Sequence, residues 1–317
     1  MNLLLEEQIG TEVSIQNILF ATDFSRVSEA AVPYARALAL RYGSTLHVAH
    51  VLPEVTFLRP GAPDPAVIGS IYEDAHSGAQ ERIQNLADRL QGFPHRTYLR
   101  HGKVCDMLDE VIREQKVDLV VLGTHGRTGL GKLVLGSVAE EILRHAACPV
   151  LTVGPRSAGV TQAAEGRHDP DLPYPQIRFR QILYATNFTP ESAPSVAFAI
   201  SLAREFQAKL TLLHVIEDYG DRLHEHPGPI EIALRKLEGL VPEGAGLPYP
   251  PQFMAEFGTP SELILQTASG HDADLILLGV RPAASHMGAA THLGGSTAHK
   301  VIVGADCPVL TVHGKML

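Results

Sequence analysis

The residues best suited to bind a ligand form a glycine-rich stretch after a short apolar run, with the sequence Gly123-Thr-His-Gly-Arg-Thr-Gly-Leu-Gly-Lys-Leu-Val-Leu-Gly-Ser137. A loop that leaves a parallel strand and enters a helix presents unpaired backbone N–H groups and a partial positive charge. Glycines let such a backbone approach a ligand closely. Arg127 and Lys132 add cations, and Ser137 adds a hydroxyl donor. The stretch therefore predicts a phosphate-binding loop.

The same residues also have an interpretation that needs no ligand. Ser137 and Glu140 fit the S-x-x-E capping box, in which a serine and a glutamate satisfy the first N–H groups of a helix. The glycines would then only loosen the loop, and Arg127 and Lys132 would be solvated surface charge. Because a capping serine can also contact phosphate, the two interpretations are compatible.

A Walker A loop is a near match that we reject. Residues 126–132 fit G-x-x-x-x-G-K, but Leu133 stands where a serine or threonine must bind Mg²⁺. The match also follows the fourth predicted strand of its unit, whereas a P-loop usually follows the first.

The chain contains an internal repeat, which bears directly on the architecture. Three segments recur in the same order along the two halves. They are ILFATDF (18–24) and ILYATNF (182–188), DLVVLG (118–123) and DLILLG (274–279), and CPVLTV at 148–153 and 307–312. The order of these matches indicates a tandem duplication.

Each unit alternates apolar strand-like runs with helical patterns, which predicts an α/β fold with right-handed crossovers. In the first unit the strands are predicted near 18–22, 45–51, 96–100, 118–122 and 149–153. The helices are predicted near 27–42, 70–91, 104–115 and 137–146. We expect two doubly wound, five-stranded parallel sheets of Rossmann-like type, each with strand order 3-2-1-4-5.

The expected domains are residues 1–155 and 179–317. The intervening segment, 156–178, is rich in Gly, Pro and polar residues and is predicted to be a linker. The last predicted strands, 149–153 and 308–312, are expected to pair within the chain as a pseudo-dimer. A homodimer between chains is a further expectation.

Composition excludes several classes of function. The net charge of -9 and the absence of Trp argue against binding to nucleic acid or to an anionic membrane. Cys105, Cys148 and Cys307 form no CxxC pair, and an odd count is a poor disulfide framework. With no signal-peptide pattern and no long apolar run, the expected location is the cytoplasm.

The glycine loop resembles the universal stress protein family, whose ATP-binding members carry G-x2-G-x9-G-[ST] after the fourth strand. Gly123, Gly126, Gly136 and Ser137 match with both spacings intact. The opening ATDFS, which includes Asp23, also resembles the family's first strand and helix start. The fold implied by the resemblance is adenine nucleotide alpha hydrolase-like in both units.

The resemblance also implies a set of binding residues. The implied adenosine pocket comprises Ala21, Thr22, Asp23, Val51 and Leu122. The implied ribose and phosphate contacts come from Gly123, His125, Gly126, Gly136, Ser137 and Val138. To these the loop chemistry adds Arg127 and Lys132. Ala139 departs from the pattern, because ATP-binding relatives often have a threonine there, so one phosphate hydrogen bond is not expected.

A fold argument brings these residues together. In doubly wound sheets, ligands bind beyond the strand C-termini where the strand order reverses, which here lies between the first and fourth strands. Asp23 ends the first strand and the glycine loop follows the fourth. The competing interpretation of Asp23 is a simple turn or helix-cap aspartate.

The second unit departs from the binding pattern. Asn187 replaces the aspartate, and Pro282, which has no N–H, replaces the second glycine. Twelve residues rather than nine separate Pro282 from Gly295, although Ser296 can still cap the last helix. We expect the second unit not to bind ATP in the family manner.

The predicted function is that of an ATP-binding stress protein, with ATP, accompanied by Mg²⁺, held by the first unit in a regulatory or protective role. An enzyme that hydrolyses ATP or transfers a phosphoryl or nucleotidyl group is an alternative, for which His125 is the only loop candidate and catalytic residues are otherwise not apparent. A partner-binding module that uses no nucleotide is another. The histidine spacings predict no metal site.

Overall fold

The computed structural model describes residues 13–54, 65–124, 135–157, 177–189, 193–217, 228–280 and 295–313. The strands of the first half are β1 (Asn17–Ala21), β2 (Thr45–Leu52), β3 (His95–His101), β4 (Leu119–Gly123) and β5 (Val150–Val153). Its helices are α1 (Arg26–Tyr42), α2 (Pro65–Arg89), α3 (Val104–Glu114) and α4 (Ser137–His145). The predicted strands and helices are confirmed, with the largest shift at the start of α2.

The second half repeats this order of elements. Its strands are β6 (Gln181–Ala185), β7 (Lys209–Ile216), β8 (Gln252–Phe257), β9 (Leu275–Val280) and β10 (Val309–His313). Its helices are α5 (Ala193–Phe206), α6 (Gly228–Glu238), α7 (Pro260–Gly270) and α8 (Thr297–Gly304). Most of the predicted linker lies outside the described residues.

The ten strands form one sheet in the order β3-β2-β1-β4-β5-β10-β9-β6-β7-β8. The predicted order of each half is confirmed, and the strands within each half are parallel. The two expected sheets are joined into one because β5 and β10 pair antiparallel, with Leu151 opposite Leu310. An open strand edge exposes unpaired N–H and C=O groups, and this pairing satisfies them. The expected pairing within the chain is thus confirmed.

Two apolar clusters cover the two faces of the sheet, and each includes residues of both halves. Phe20 and Tyr184 lie on one face, under the helices α1, α2, α5 and α6. Leu19 and Leu183 lie on the other, under α3, α4, α7 and α8. Alternate residues of β1 therefore enter opposite clusters, as expected for a strand buried on both faces.

The duplication extends to turn geometry. Phe24 and Phe188 hold equivalent positions and both have φ of 59°. Asp118 Oδ2 accepts hydrogen bonds from two N–H groups at the start of β1, and Asp274 Oδ2 does the same at the start of β6. The aspartate of the repeated DL pair therefore fixes the fourth strand of each half beside the first.

Helices of the described ranges are all too short or too polar to cross a membrane.

Candidate functional site

The candidate site lies where the strand order of the first half reverses. β1 pairs with β4 on one side, with Ala21 opposite Leu122, and with β2 on the other. Asp23 follows β1 by two residues and Gly123 ends β4. The two sequence signals thus meet at the carboxyl edge of two adjacent strands, where ligands bind in such sheets.

Gly123 is required by helix packing. A Cβ atom at this position would lie 2.9 Å from the backbone N of Ser28 and 3.0 Å from the carbonyl carbon of Val27. The glycine therefore lets the first turn of α1 pass directly over the end of β4. This close contact was not evident from the sequence, which suggested only a ligand-facing role.

Asp23 organises the turn between β1 and α1. Its Oδ1 accepts a hydrogen bond from Ser25 N at 3.0 Å. Ser25 in turn caps α1 by accepting from Ser28 N at 3.2 Å. The turn role that competes with ligand binding is therefore present, and it also holds the Asp23 carboxylate at the edge of the sheet. Sequence reasoning did not single out Ser28, although it recurs as Ser192 in the second unit.

Thr22 forms a dense set of internal hydrogen bonds. Its N–H donates to Ala49 O at 2.9 Å, and its carbonyl accepts from His50 Nδ1 at 2.7 Å. Its hydroxyl lies 3.0 Å from Ser28 Oγ and accepts from Phe24 N at 2.9 Å. Thr22 is also buried, so its main contribution to the site is to fix the backbone beside Asp23.

Four of the implied residues share one face of the sheet. Val51 and Leu122 are buried in the cluster under α3 and α4, and the partly exposed Ala21 and Val138 pack against it. These side chains form an apolar floor next to the carboxyl ends of β1 and β4. An apolar floor of this kind is suited to a planar base.

The ends of the glycine loop are joined by a hydrogen bond from Gly136 N to Thr124 O at 2.8 Å. The Gly136 N–H is therefore engaged within the protein. Four predicted residues within the loop lie outside the described residues: His125, Gly126, Arg127 and Lys132.

Helix α4 begins at Ser137, with Gly136 as its N-cap, and none of the described side chains caps it. Glu140, which the capping box would direct back to the cap, forms an ion pair with Arg144 at 2.8 Å. The capping-box interpretation of Ser137 is therefore wrong. Ser137 is exposed in the first turn, and the N–H groups of this turn have no partner within the helix.

The second half differs at the matching helix. Ser296 is the N-cap of α8, and its hydroxyl accepts from His299 N at 3.1 Å, as the sequence predicted. Asn187 Oδ1 accepts from Thr189 N at 3.2 Å, so the aspartate turn is conserved in geometry. Pro282 lies outside the described residues.

His50 and His214 pack beside the two edges in equivalent ways. His214 Nδ1 donates to Thr186 O at 2.8 Å, and its ring lies 4.3 Å from that of Phe188. Burial, with a smaller effect of nearby Lys236, lowers the pKa of His214. His50 makes the same contacts, with Thr22 O and the Phe24 ring, so both histidines are packing residues beside the sheet edge.

The three cysteines are unpaired and buried. Burial raises the pKa of Cys105, Cys148 and Cys307 to about 12, so each is protonated at neutral pH and a poor nucleophile. The described residues contain no group of three His, Cys, Asp or Glu side chains arranged to hold a metal ion.

Comparison with known proteins agrees with this architecture. The profile of the universal stress protein family matches residues 14–154 and 178–313. A universal stress protein of Methanocaldococcus jannaschii is 30% identical over 139 residues, covering 44% of this chain and 81% of that protein. The universal stress protein A homolog 1 of Coxiella burnetii is 32% identical over 138 residues, covering 44% and 95%.

One solved structure repeats the fold across both halves of the chain. A universal stress protein from Archaeoglobus fulgidus is similar with a TM-score of 0.66 and 22% identity, covering 94% of this chain and 96% of that chain. A universal stress protein solved in complex with cAMP is 26% identical and covers 44% of this chain and 98% of that chain, with a TM-score of 0.31. The two family matches span most of the sequence, one in each half, and the chain therefore belongs to the universal stress protein family as a tandem two-domain member.

Proposed function

We propose that this chain is an ATP-binding universal stress protein whose nucleotide site lies in the first domain. One observation carries the proposal: the Asp23 turn and the uncapped start of α4 flank the point where the strand order reverses. A carboxylate, an apolar floor and a helix N-terminus are the three kinds of group that a nucleoside phosphate needs.

Each part of the nucleotide has a chemical counterpart. The apolar floor of Ala21, Val51, Leu122 and Val138 suits the base. Asp23 would accept hydrogen bonds from the adenosine part of the nucleotide. The first N–H groups of α4 and the Ser137 hydroxyl suit phosphate, since the helix dipole favours an anion there.

The predicted loop cations complete the phosphate site. Arg127 and Lys132 would neutralise phosphate charge, and Gly126 and His125 would bring backbone close to it. Mg²⁺ would accompany ATP on the phosphate oxygens rather than occupy a metal site built from protein side chains.

The second domain does not bind ATP in the same way in this proposal. Ser296 is already engaged as the cap of α8, whereas Ser137 has no such role in α4. The change from Asp23 to Asn187 removes the negative charge while keeping the turn. The second half then serves to complete the sheet, with nucleotide occupancy of the first half regulating shape or partners.

Titration calorimetry with ATP, ADP, AMP and cAMP tests the proposal on the full chain. We expect one ATP per chain and at least a tenfold weaker affinity in Asp23→Ala, equal to about 1.4 kcal/mol. Asn187→Ala is the matched control, because it alters the equivalent turn of the second half, and should leave ATP affinity unchanged.

Two other outcomes separate the alternatives. Release of ADP that Asp23→Ala or Gly126→Pro abolishes would indicate an enzyme. Absence of binding at millimolar ATP would favour a module that works without nucleotide. Two equivalent ATP molecules per chain would contradict the assignment to the first domain alone.

A further inference from the structure

Each half of the molecule contacts the C-terminal end of the other half's last helix. His313, the last residue of β10, donates from Nε2 to Leu143 O at 2.9 Å, in the last turn of α4. Arg156, just beyond β5, donates from Nη1 to Gly304 O at 2.9 Å, at the end of α8. Both helices thus have a carbonyl bound by a side chain from the opposite half.

The two contacts are not equivalent. The repeated CPVLTV segments are followed by Gly154 in the first half and by His313 in the second. A Cβ atom built on Gly154 lies 4.0 Å from Ile302 O, and Ile302 holds in α8 the position that Leu143 holds in α4. The residue after CPVLTV therefore makes a buried side-chain hydrogen bond only in the second half, where His313 donates to α4. Gly154 has no side chain with which to make the equivalent bond to α8.

The burial of His313 makes this contact specific. Its residue surface is 4% exposed, whereas the Arg156 side chain is 45% exposed. Burial lowers the pKa of His313, so the ring is neutral at neutral pH and its single N–H points at Leu143 O. Its Nδ1 atom has no hydrogen-bond partner among the described residues. A buried N–H···O bond of this kind is costly to break, because both groups would lose their partners.

Helix α4 connects this contact to the phosphate side of the site. Its nine residues span roughly 13 Å, with Leu143 in the last turn and Ser137 in the first. Ala139 and Ile142 hold the helix against the sheet, and His313 adds a hydrogen bond from the second half at its C-terminal end. A shift of that end moves the N–H groups at the other end, because a short helix moves as a rigid unit.

We propose that His313 is a positioning residue for the phosphate side of the nucleotide site. From the second half, His313 holds the C-terminal end of α4 in place. The N–H groups at Ser137 and Val138, at the other end of the helix, then stay in place for phosphate. The inference rests on the proposed function, and it gives the second domain a role in nucleotide affinity without a nucleotide of its own.

The experiment compares ATP with adenosine on the full chain. In His313→Leu, which keeps the buried volume and removes the donor, we expect ATP affinity to fall about five- to tenfold. Adenosine affinity, measured by competition, should change less than twofold, because only Val138 of the apolar floor belongs to α4, whereas phosphate depends on the N–H groups at the start of that helix. A general loss of structure would weaken both ligands, so the ratio of the two affinities isolates positioning.

Two variants serve as controls. His313→Gln places an amide N–H near the position of Nε2 and should restore most of the ATP affinity. Arg156→Met removes the matching contact onto α8 and should leave the ratio unchanged. If His313→Leu does not fold, His313→Asn against His313→Gln makes the same comparison, since the shorter amide does not reach Leu143 O.

An unchanged ratio in a folded His313→Leu protein that still binds ATP would overturn this inference and leave the proposed function standing. Equal changes in His313→Leu and Arg156→Met would also overturn it, because loosening of the whole interface would then explain both. Failure of the wild-type chain to bind ATP would overturn the proposed function and this inference with it.

Discussion

Among single residues, Gly123 has the clearest physical constraint. It matches the first glycine of a phosphate-binding pattern, but the atoms closest to its missing side chain belong to α1. The same contact brings the start of α1, and with it the Asp23 turn, to the end of β4. Gly123 therefore positions the site through helix packing, whether or not its backbone also contacts a ligand.

Gly123→Ala is expected to destabilise the protein by about 1–3 kcal/mol, because its Cβ would lie too close to backbone that cannot rotate away. ATP affinity should fall as well, since α1 must move. Gly78→Ala is the matched control: nothing lies within 4 Å of its Cβ position in α2, so alanine should be neutral or stabilise by up to about 1 kcal/mol. Denaturant unfolding of both variants measures the difference, and equal stabilities would contradict the packing account.

At the scale of elements, the last helices of the two halves have the same Gly-Ser start and use it differently. In α8, Ser296 is the N-cap and the helix begins at the next residue. In α4, Gly136 is the N-cap and Ser137 is already the first residue of the helix. The hydrogen bond from Gly136 N to Thr124 O fixes where the first loop ends and so sets this register. The identical sequence therefore produces a capped helix in one half and an uncapped one in the other.

Serine-to-alanine changes at the two helices should separate stability from binding. Ser296→Ala is expected to lower the free energy of unfolding by about 1 kcal/mol through loss of the cap and to leave ATP affinity intact. Ser137→Ala should change stability by less than about 0.5 kcal/mol and weaken ATP binding about fivefold. Thermal unfolding and titration calorimetry give both quantities. A large stability loss in Ser137→Ala would show that this serine caps its helix after all.

At the scale of the whole molecule, the two domains share one sheet and one pair of cores. Leu151 and Leu310 face each other across the β5–β10 pair, and both belong to the cluster that contains Phe20 and Tyr184. Thr152 and Thr311 add hydroxyl bonds to Val309 O and Val150 O across the same pair. Loss of packing at the β5–β10 pair therefore removes contacts from both halves at once.

Leu310→Ala is therefore expected to lower stability by about 2–5 kcal/mol while the chain still unfolds in a single transition. Hydrogen exchange provides the local measurement: amides of Val48 in the first half and Leu212 in the second should lose protection together. Ala208→Gly changes a buried residue of the second half away from the β5–β10 pair, and it serves as the comparison for a local loss of protection. Two separate transitions, with only the second half affected, would contradict a shared core.

The strand order and the placement of Asp23 and Gly123 at one edge of the sheet were predictable from the sequence, because both follow from local patterns. Apolar runs separated by helices predict a doubly wound sheet, and the repeated DL and CPVLTV segments align the halves. The family match extends the same inference to both units. The loss of the aspartate and of one glycine in the second unit can also be read directly from the chain.

Tertiary structure decided the features that depend on contacts between distant segments. Only packing shows that Gly123 accommodates α1, that loop closure leaves Ser137 outside the cap, and that His313 reaches Leu143. The two expected sheets join into one because the edge strands β5 and β10 pair, and only the tertiary structure shows this pairing. Sequence patterns record the burial and local geometry of each segment, whereas these features depend on how separate segments are placed relative to one another, across 170 residues for Leu143 and His313.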